Sequence, residues 1–376
     1  MKCLLFANTD WYLYNFRRSL AAGLRDAGHE VLLVSPAGPY GEKLRELGFR
    51  WLPAPMDRKS VNPLQEAGLM VWLWRLARRE RPDVIHGFTI KCAVYGALLS
   101  RLTGAASVNA VAGLGYVYIS NSFKARILRG VLRVLMRFAF GGRRARVVLQ
   151  NNDDITFFTE AALVRPENIA LIKGSGVDCS RFLPVAAHSR SDARPVVVLA
   201  ARILWDKGVG EFVEAAHLLK TEGSDARFML AGSPDPGNPA SVPEEQMKAW
   251  QADGLVECPG HIDDMPGLYS KAAIVVLPSY REGLPKSLIE AAACALPLVT
   301  TDVPGCREVV QDGIDGLLVP VRDSEALATA IRRLLVDPAL ARRLGVAARA
   351  KALAEFDEKI VIAKTIAVYR QVAALR

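Results

Sequence analysis

Short apolar runs are the first constraint on this chain. Pro195-Val-Val-Val-Leu-Ala-Ala and Ile274-Val-Val-Leu contain no polar residue and are rich in β-branched side chains. A strand that is apolar on both faces must be covered on both faces, the condition of a strand inside a parallel sheet flanked by helices. Between such runs lie stretches of helical character, so strand and helix alternate as in a doubly wound α/β sheet. Strands are expected at residues 2–7, 30–35, 83–86, 107–111, 147–150 and 169–172, and helices at 16–26, 62–79, 93–102 and 124–140. The alternation stops at a polar stretch, 186–194, and restarts with strands at 195–200, 227–231, 274–277 and 298–301. Helices are expected there at 209–219, 287–295, 324–336 and 339–356, with a short one to residue 374.

With 376 residues there is room for two cores. The expected organisation is therefore an α/β domain over 1–185, a linker at 186–194 and a second α/β domain over 195–376. The final helix is free to return to the first domain. Two such Rossmann-like sheets leave a cleft between them, and ligands of open sheets bind at the carboxyl ends of the strands.

Charge is uneven along the chain. Residues 1–185 hold 26 Lys and Arg against 14 Asp and Glu, whereas the remainder hold 22 against 25. A basic first half should meet something anionic. Zinc spacing, RNA-binding aromatic motifs and basic tails are absent, which argues against nucleic acid. The six cysteines are scattered without a C-x-x-C pair and read as reduced thiols, placing the protein in the cytoplasm. Neither a signal peptide nor an apolar run near ~18 residues is visible, so membrane contact is expected to be peripheral at most.

The segment Leu277-Pro-Ser-Tyr-Arg-Glu-Gly-Leu-Pro-Lys-Ser-Leu-Ile-Glu-Ala runs from a strand through a Gly- and Pro-bearing loop into a helix. Free amide groups and the helix dipole make such a place an anion site. Pro285 suits the first turn, where a missing N–H costs nothing. Yet the segment carries two carboxylates, Glu282 and Glu290, which would repel phosphate and suit the hydroxyls of a sugar or ribose. A second strand-end stretch, Ala200-Ala-Arg-Ile-Leu-Trp-Asp-Lys-Gly, places Arg202 and Lys207 in one loop opening a helix, a pair of cations able to hold a diphosphate.

These residues resemble the family 4 retaining glycosyltransferases, whose GT-B fold is two facing Rossmann-like domains. The resemblance rests on Arg202 and Lys207, Gly260-His-Ile-Asp-Asp, Pro278-Ser-Tyr-Arg-Glu-Gly-Leu-Pro, the E-x7-E spacing of Glu282 and Glu290, and Gly313-Ile-Asp-Gly-Leu-Leu-Val-Pro. It spans the whole chain and is densest from 196 to 320. It implies that Glu290 meets the ribose hydroxyls and Glu282 the transferred sugar. The backbone around Gly283, Leu284 and Pro285, with Lys286 and Ser287, would hold the sugar and diphosphate, and Ile262 would meet the base. Arg202 and Lys207 would stabilise the departing diphosphate, so neither a metal nor another cofactor is expected. Asp263-Asp264 and Asp153-Asp154 are then read as helix-opening acids.

The first domain is expected to hold the acceptor. Asn8, Trp11 and Tyr14 follow the first strand, and aromatics beside Asn suit stacking on a sugar, although packing at a helix start would use them equally well. Gly113 and Gly115 mark another expected active-site loop. Ala112 stands where many family members carry histidine, and His86, on a strand end, is a replacement candidate, with a satisfied core histidine as the favoured reading. Arg126, Arg129, Arg133 and Arg137 recur at helical steps and form one stripe, able to lie on anionic lipid. Leu114-Gly-Tyr-Val-Tyr and Lys173-Gly-Ser-Gly-Val-Asp are similar to a branch that extends sugars on undecaprenyl diphosphate, including α-N-acetylgalactosaminyl transferases.

The expectation is thus a retaining glycosyltransferase moving an N-acetylhexosamine or hexose from a UDP-sugar donor to a polyprenyl-diphosphate-linked saccharide, at the inner membrane face. A soluble-acceptor transferase, a UDP-sugar epimerase of the same fold and a non-catalytic sugar-binding protein are the alternatives.

Overall fold

The structure is a computed structural model that describes residues 1–58, 60, 62–111, 123–184, 194–235 and 237–375, excluding the side chains of 123–129, 131 and 132. The chain forms two compact units, Met1–Ser175 with Glu358–Arg376, and Gly176–Asp357.

The first unit holds seven parallel strands in the order β3-β2-β1-β4-β5-β6-β7. They are β1 Lys2–Phe6, β2 Glu30–Ser35, β3 Arg50–Pro53, β4 Val84–Phe88, β5 Ala106–Ala110, β6 Ala145–Leu149 and β7 Ile169–Leu171. β1, β4 and β5 are fully or almost fully buried, with His86, Ser107 and Asn109 as polar residues enclosed among the apolar ones. Leu5, Val31, Phe88 and Val108 line one face of the sheet and pack against Leu20 and Leu24 of the helix Arg18–Asp26. The final helix, Glu358–Ala374, completes this face with Val361, Ile366, Tyr369 and Val372.

The second unit holds six parallel strands in the order β10-β9-β8-β11-β12-β13. They are β8 Val196–Ala200, β9 Arg227–Ala231, β10 Glu257–Gly260, β11 Ile274–Leu277, β12 Leu298–Thr301 and β13 Leu317–Val319. Strand order reverses between β8 and β11, which pair through Ile274↔Val197 and Val275↔Val198. Loops from adjacent strands there diverge to opposite faces and open a crevice at the carboxyl edge.

The unit boundaries differ from the expected linker at 186–194. The chain changes unit at Ser175/Gly176 and again at Asp357/Glu358. Val177 pairs with Asp357 in a parallel bridge, its N–H donates to Phe356 O at 3.0 Å, and Val177, Cys179 and Phe182 join the second core. Short hydrogen-bonded pairing of this kind carries no periodicity, so it was invisible in the sequence; residues 185–193 lie outside the described residues. The final helix is also longer than expected, at 17 residues.

Candidate active site

The crevice of the second unit gathers residues from three loops. After β8, Arg202 leads into a 3-10 turn, Trp205–Lys207, closed by Gly208 in the left-handed region (φ +72°). A Cβ on Gly208 would run into the carbonyl oxygen of Pro278, so this glycine lets the β8 loop touch the β11 loop. The contact is fixed by Tyr280 N–H donating to Asp206 O at 2.9 Å. Tyr280 is pinned further by its hydroxyl donating to Glu211 at 2.6 Å and by the Arg322 guanidinium 4.7 Å over its ring.

These braces bring together residues 75 positions apart. Lys207 Nζ lies 2.5 Å from Glu282 Oε1, and Ser279 Oγ donates to the same oxygen at 2.7 Å. Both partners of the ion pair are largely buried, with side chains 18% and 12% exposed. Gly305 (φ +81°) supports the loop from below, since a Cβ there would stand 2.6 Å from the carbonyl oxygens of Glu282 and Gly283.

The helix that follows β11 spans Lys286–Ala293. Pro285 is its N-cap in extended conformation, one position earlier than the first-turn place expected, and no side chain caps the end. The amide groups of the first turn, at Lys286 and Ser287, have no carbonyl four residues back within the helix and point out of its N-terminus. Glu290 lies one turn further in and is buried. Desolvation pushes its carboxyl above the usual range, while Lys286, 3.6 Å away, and Arg181 oppose that shift. Gly283 and Leu284 form the link between the two carboxylates, and Leu284 packs on the core. Ile262 sits between β10 and the helix Met265–Lys271, half-buried against the same core. Asp264 caps that helix by accepting from Gly267 N–H at 3.1 Å, and Asp154 accepts from Asn151 at 3.0 Å at the start of Asn152–Glu160. Asp264 is thus the cap of its helix, while Asp154 bonds to Asn151, the residue that caps Asn152–Glu160.

Arg202 is paired as well. It donates through Nη1 to Asp235 Oδ2 at 2.8 Å, a partner that sequence reasoning missed. Every cation of the expected diphosphate cradle therefore faces a carboxylate, in the pairs Arg202–Asp235, Lys207–Glu282 and Lys286–Glu290. The side-chain charge of these six residues sums to zero, which leaves the dipole of the helix Lys286–Ala293 to supply the positive potential.

In the first unit the expected acceptor residues sit at the start of a longer helical segment than anticipated. It begins at Asp10 and passes through a π-helical turn, Leu13–Arg17. Asp10 is buried and accepts from the N–H groups of Trp11, Tyr40 and Gly41, so it anchors the loop to the helix Pro39–Glu46. Asn8 is half-buried. Trp11 is 38% exposed, edge-on to Phe16, whereas Tyr14 lies between Tyr40 and the Arg18 guanidinium. Trp11 is thus the open aromatic face of the pair. Gly113 and Gly115, and with them Ala112, lie outside the described residues.

His86 is a core histidine. It is 2% exposed, its Nδ1 meets Tyr369 Oη at 2.5 Å, and its ring packs on Phe88. Burial holds its pKa well below the usual value, with the Arg17 charge acting in the same direction, so the ring is neutral. It makes a poor substitute for an acceptor-side residue.

The basic helix spans Phe123–Phe140. Arg133 and Arg137 are exposed, and beside them Val134 (70%) and Phe138 (58%) are exposed too, while Met136, Ala139 and Phe140 are buried. The side chains of Arg126 and Arg129 lie outside the described residues. Arg144 and Arg146 are not part of the outer stripe, because they donate to backbone carbonyls, Arg144 to Gly104 and Arg146 to Ala145. Among the described residues no helix is long and apolar enough to cross a membrane.

Comparison with known proteins agrees with this geometry. A family model described as "Glycosyl transferases group 1" matches residues 194–337, and one described as "Glycosyl transferase 4-like domain" matches residues 15–173. The chain is 31% identical over 371 residues to the N,N'-diacetylbacillosaminyl-diphospho-undecaprenol alpha-1,3-N-acetylgalactosaminyltransferase of Campylobacter jejuni, covering 96% of each chain. It is 23% identical over 322 residues to an Escherichia coli UDP-Gal:alpha-D-GlcNAc-diphosphoundecaprenol alpha-1,3-galactosyltransferase, covering 82% of this chain and 80% of that one. Among solved structures, Anabaena HepE in complex with UDP superposes with a TM-score of 0.79 at 20% identity, covering 98% of this chain and 100% of that one. With two parallel-sheet units, the strand-end cations and the paired carboxylates in place, the chain belongs to the group 1, family 4 glycosyltransferases and is a glycosyltransferase of the GT-B fold.

Proposed function

We propose that this enzyme moves an N-acetylhexosamine or hexose, with retention of configuration, from a UDP-sugar to a saccharide carried on polyprenyl diphosphate. The observation that carries the donor half is the Lys207–Glu282 pair beside the N-terminus of the helix Lys286–Ala293 at the strand-order reversal. Glu290, buried one turn inside the helix, accepts from the ribose hydroxyls. Glu282, held by Lys207 and Ser279, accepts from hydroxyls of the transferred sugar. As the glycosidic bond to the diphosphate breaks, negative charge grows on the leaving oxygens. The amide groups of Lys286 and Ser287, with Lys207 and Arg202, take up that charge, the work a metal does in other transferases. The acceptor hydroxyl then attacks the oxocarbenium-like carbon on the face the diphosphate leaves, passing its proton to an oxygen of the departing diphosphate. No metal or further cofactor has a part in this scheme.

The acceptor half is supported by the relatives that act on undecaprenyl-diphosphate-linked sugars and by the first unit's excess of positive charge. Trp11 offers a face for stacking, with Asn8 beside it. Arg133 and Arg137 would meet anionic headgroups on the cytoplasmic leaflet, each contributing roughly 1 kcal/mol, while Val134 and Phe138 enter the interfacial layer. This makes the enzyme a peripheral protein of the inner membrane face.

The test is a panel of UDP- and GDP-sugars with membrane-extracted lipid-linked saccharides, read by mass spectrometry of the products. A lipid-linked product longer by one hexose or N-acetylhexosamine, with UDP donors only, is expected. Growth of water-soluble acceptors alone would overturn the lipid-linked assignment, and conversion of donor without acceptor would indicate an epimerase.

A further inference from the structure

The loop after β9, Gly232-Ser-Pro-Asp-Pro-Gly-Asn-Pro-Ala-Ser-Val-Pro, has no part in the donor scheme above, yet it is stitched to the loop that carries Arg202. Ile203 N–H donates to Ser233 O at 3.0 Å, Trp205 N–H to Ala240 O at 2.7 Å, and Val242 N–H to Ile203 O at 3.1 Å. Asp235 is fixed within it, since its own N–H donates to Ser241 Oγ at 3.1 Å and its carbonyl accepts from Asn238 N–H at 2.9 Å. Its carboxylate, only 20% exposed, is thereby delivered to Arg202, which is 58% exposed.

Of the three carboxylates that face the cradle's cations, Glu282 and Glu290 have hydroxyls to read. The donor scheme assigns no hydroxyl to Asp235, whose carboxylate offsets the charge of Arg202. A diphosphate carries two or more negative charges, so a site that kept both Arg202 and Lys207 uncompensated would hold the spent nucleotide as firmly as the donor. Uniform tight binding of that kind lowers KM without raising kcat.

We propose that Asp235 is a positioning residue that orients Arg202 while cancelling its charge, and so sets how tightly the nucleoside diphosphate is held and how fast it leaves. The inference rests on the donor site proposed above. Asp235→Asn keeps the size and loop hydrogen bonds but leaves the cradle with one net positive charge.

Calorimetric titration with inorganic pyrophosphate and with UDP tests it on the full chain. Asp235→Asn is expected to tighten both about five- to tenfold, against no change in Asp235→Glu. In turnover, donor KM and kcat should fall together, a split that a mere loss of loop order would not give. In an Arg202→Gln background the asparagine should change affinity less than about twofold, since its effect passes through the arginine. Unchanged or weaker pyrophosphate binding by Asp235→Asn would overturn the proposal, as would the same gain without Arg202. If the wild type binds pyrophosphate but not UDP, the nucleotide assignment fails while the Asp235 comparison still stands.

Discussion

Replacing Lys207 by methionine probes the site at its most consequential contact. The substitution keeps the aliphatic stem and removes the ammonium 2.5 Å from Glu282. Two costs follow, and they separate experimentally. In the ground state a carboxylate 12% exposed keeps only Ser279 as its close side-chain donor. Removing one partner of a fully buried pair costs about 3–5 kcal/mol, and partial access of water to Lys207 reduces this to about 1–3 kcal/mol. In the transition state the departing diphosphate loses a fixed cation, for which a loss of about 3–4 kcal/mol, or 10²- to 10³-fold in kcat, is the usual scale. Glu282→Gln in the same background should relieve the ground-state cost, because the unpaired charge is gone, without restoring turnover. Thermal unfolding reads the first effect and steady-state kinetics with a UDP-sugar reads the second. A Lys207→Met enzyme within threefold of wild-type kcat would refute the role given to this residue.

Three further outcomes are expected. Glu80, held by Arg50 and Lys2, has its carboxyl pulled down to about 2 from an ordinary 4.5, Arg50 being the largest cause. A depressed acid stabilises the fold above its unfolded pKa, so up to about 3 kcal/mol should be lost as pH falls from 4.5 towards 2, and Glu80→Gln should flatten that part of the stability–pH curve. Gly208→Ala meets both a left-handed backbone and the Pro278 carbonyl, and should cost at least about 2–3 kcal/mol in denaturant unfolding and displace Lys207, lowering kcat as well. Phe138→Ser combined with Arg137→Glu should weaken sedimentation with anionic vesicles at least tenfold while leaving UDP affinity as in the wild type; equal sedimentation would count against the membrane face.

Much of the fold was legible because its central strands are buried on both faces. β1, β2, β8 and β11 appear as unbroken apolar runs, and the helices Pro63–Glu80, Ile90–Thr103 and Phe123–Phe140 lie within three residues of their expected ends. Two of the edge strands, β3 and β10, were not visible. β3, Arg-Trp-Leu-Pro, and β10, Glu-Cys-Pro-Gly, each pair with one neighbour only and can carry polar residues and proline. In the site, residue types and strand-end positions were readable for Arg202, Lys207 and Glu282, since each lies near an element boundary, and Glu290 was readable from its spacing to Glu282. Their pairing was not, because it depends on β8 and β11 becoming neighbours across 73 residues of intervening chain. Asp235 and Ser279 escaped notice for the same reason. A short polar side chain in a loop gains meaning only from the partner that tertiary structure brings to it. His86 was readable foremost as a core histidine, and the packing of Phe88 and Tyr369 around it agrees.

The central claim is that a uridine nucleotide is held at the strand-order reversal of the second unit by Glu290 and the helix behind Pro285. Calorimetric titration of UDP into the wild type and Glu290→Ala tests it most directly. The account predicts saturable one-to-one binding by the wild type and at least a tenfold loss in the variant, with Trp11→Ala binding as the wild type does. Equal UDP affinity in Glu290→Ala and the wild type would contradict it.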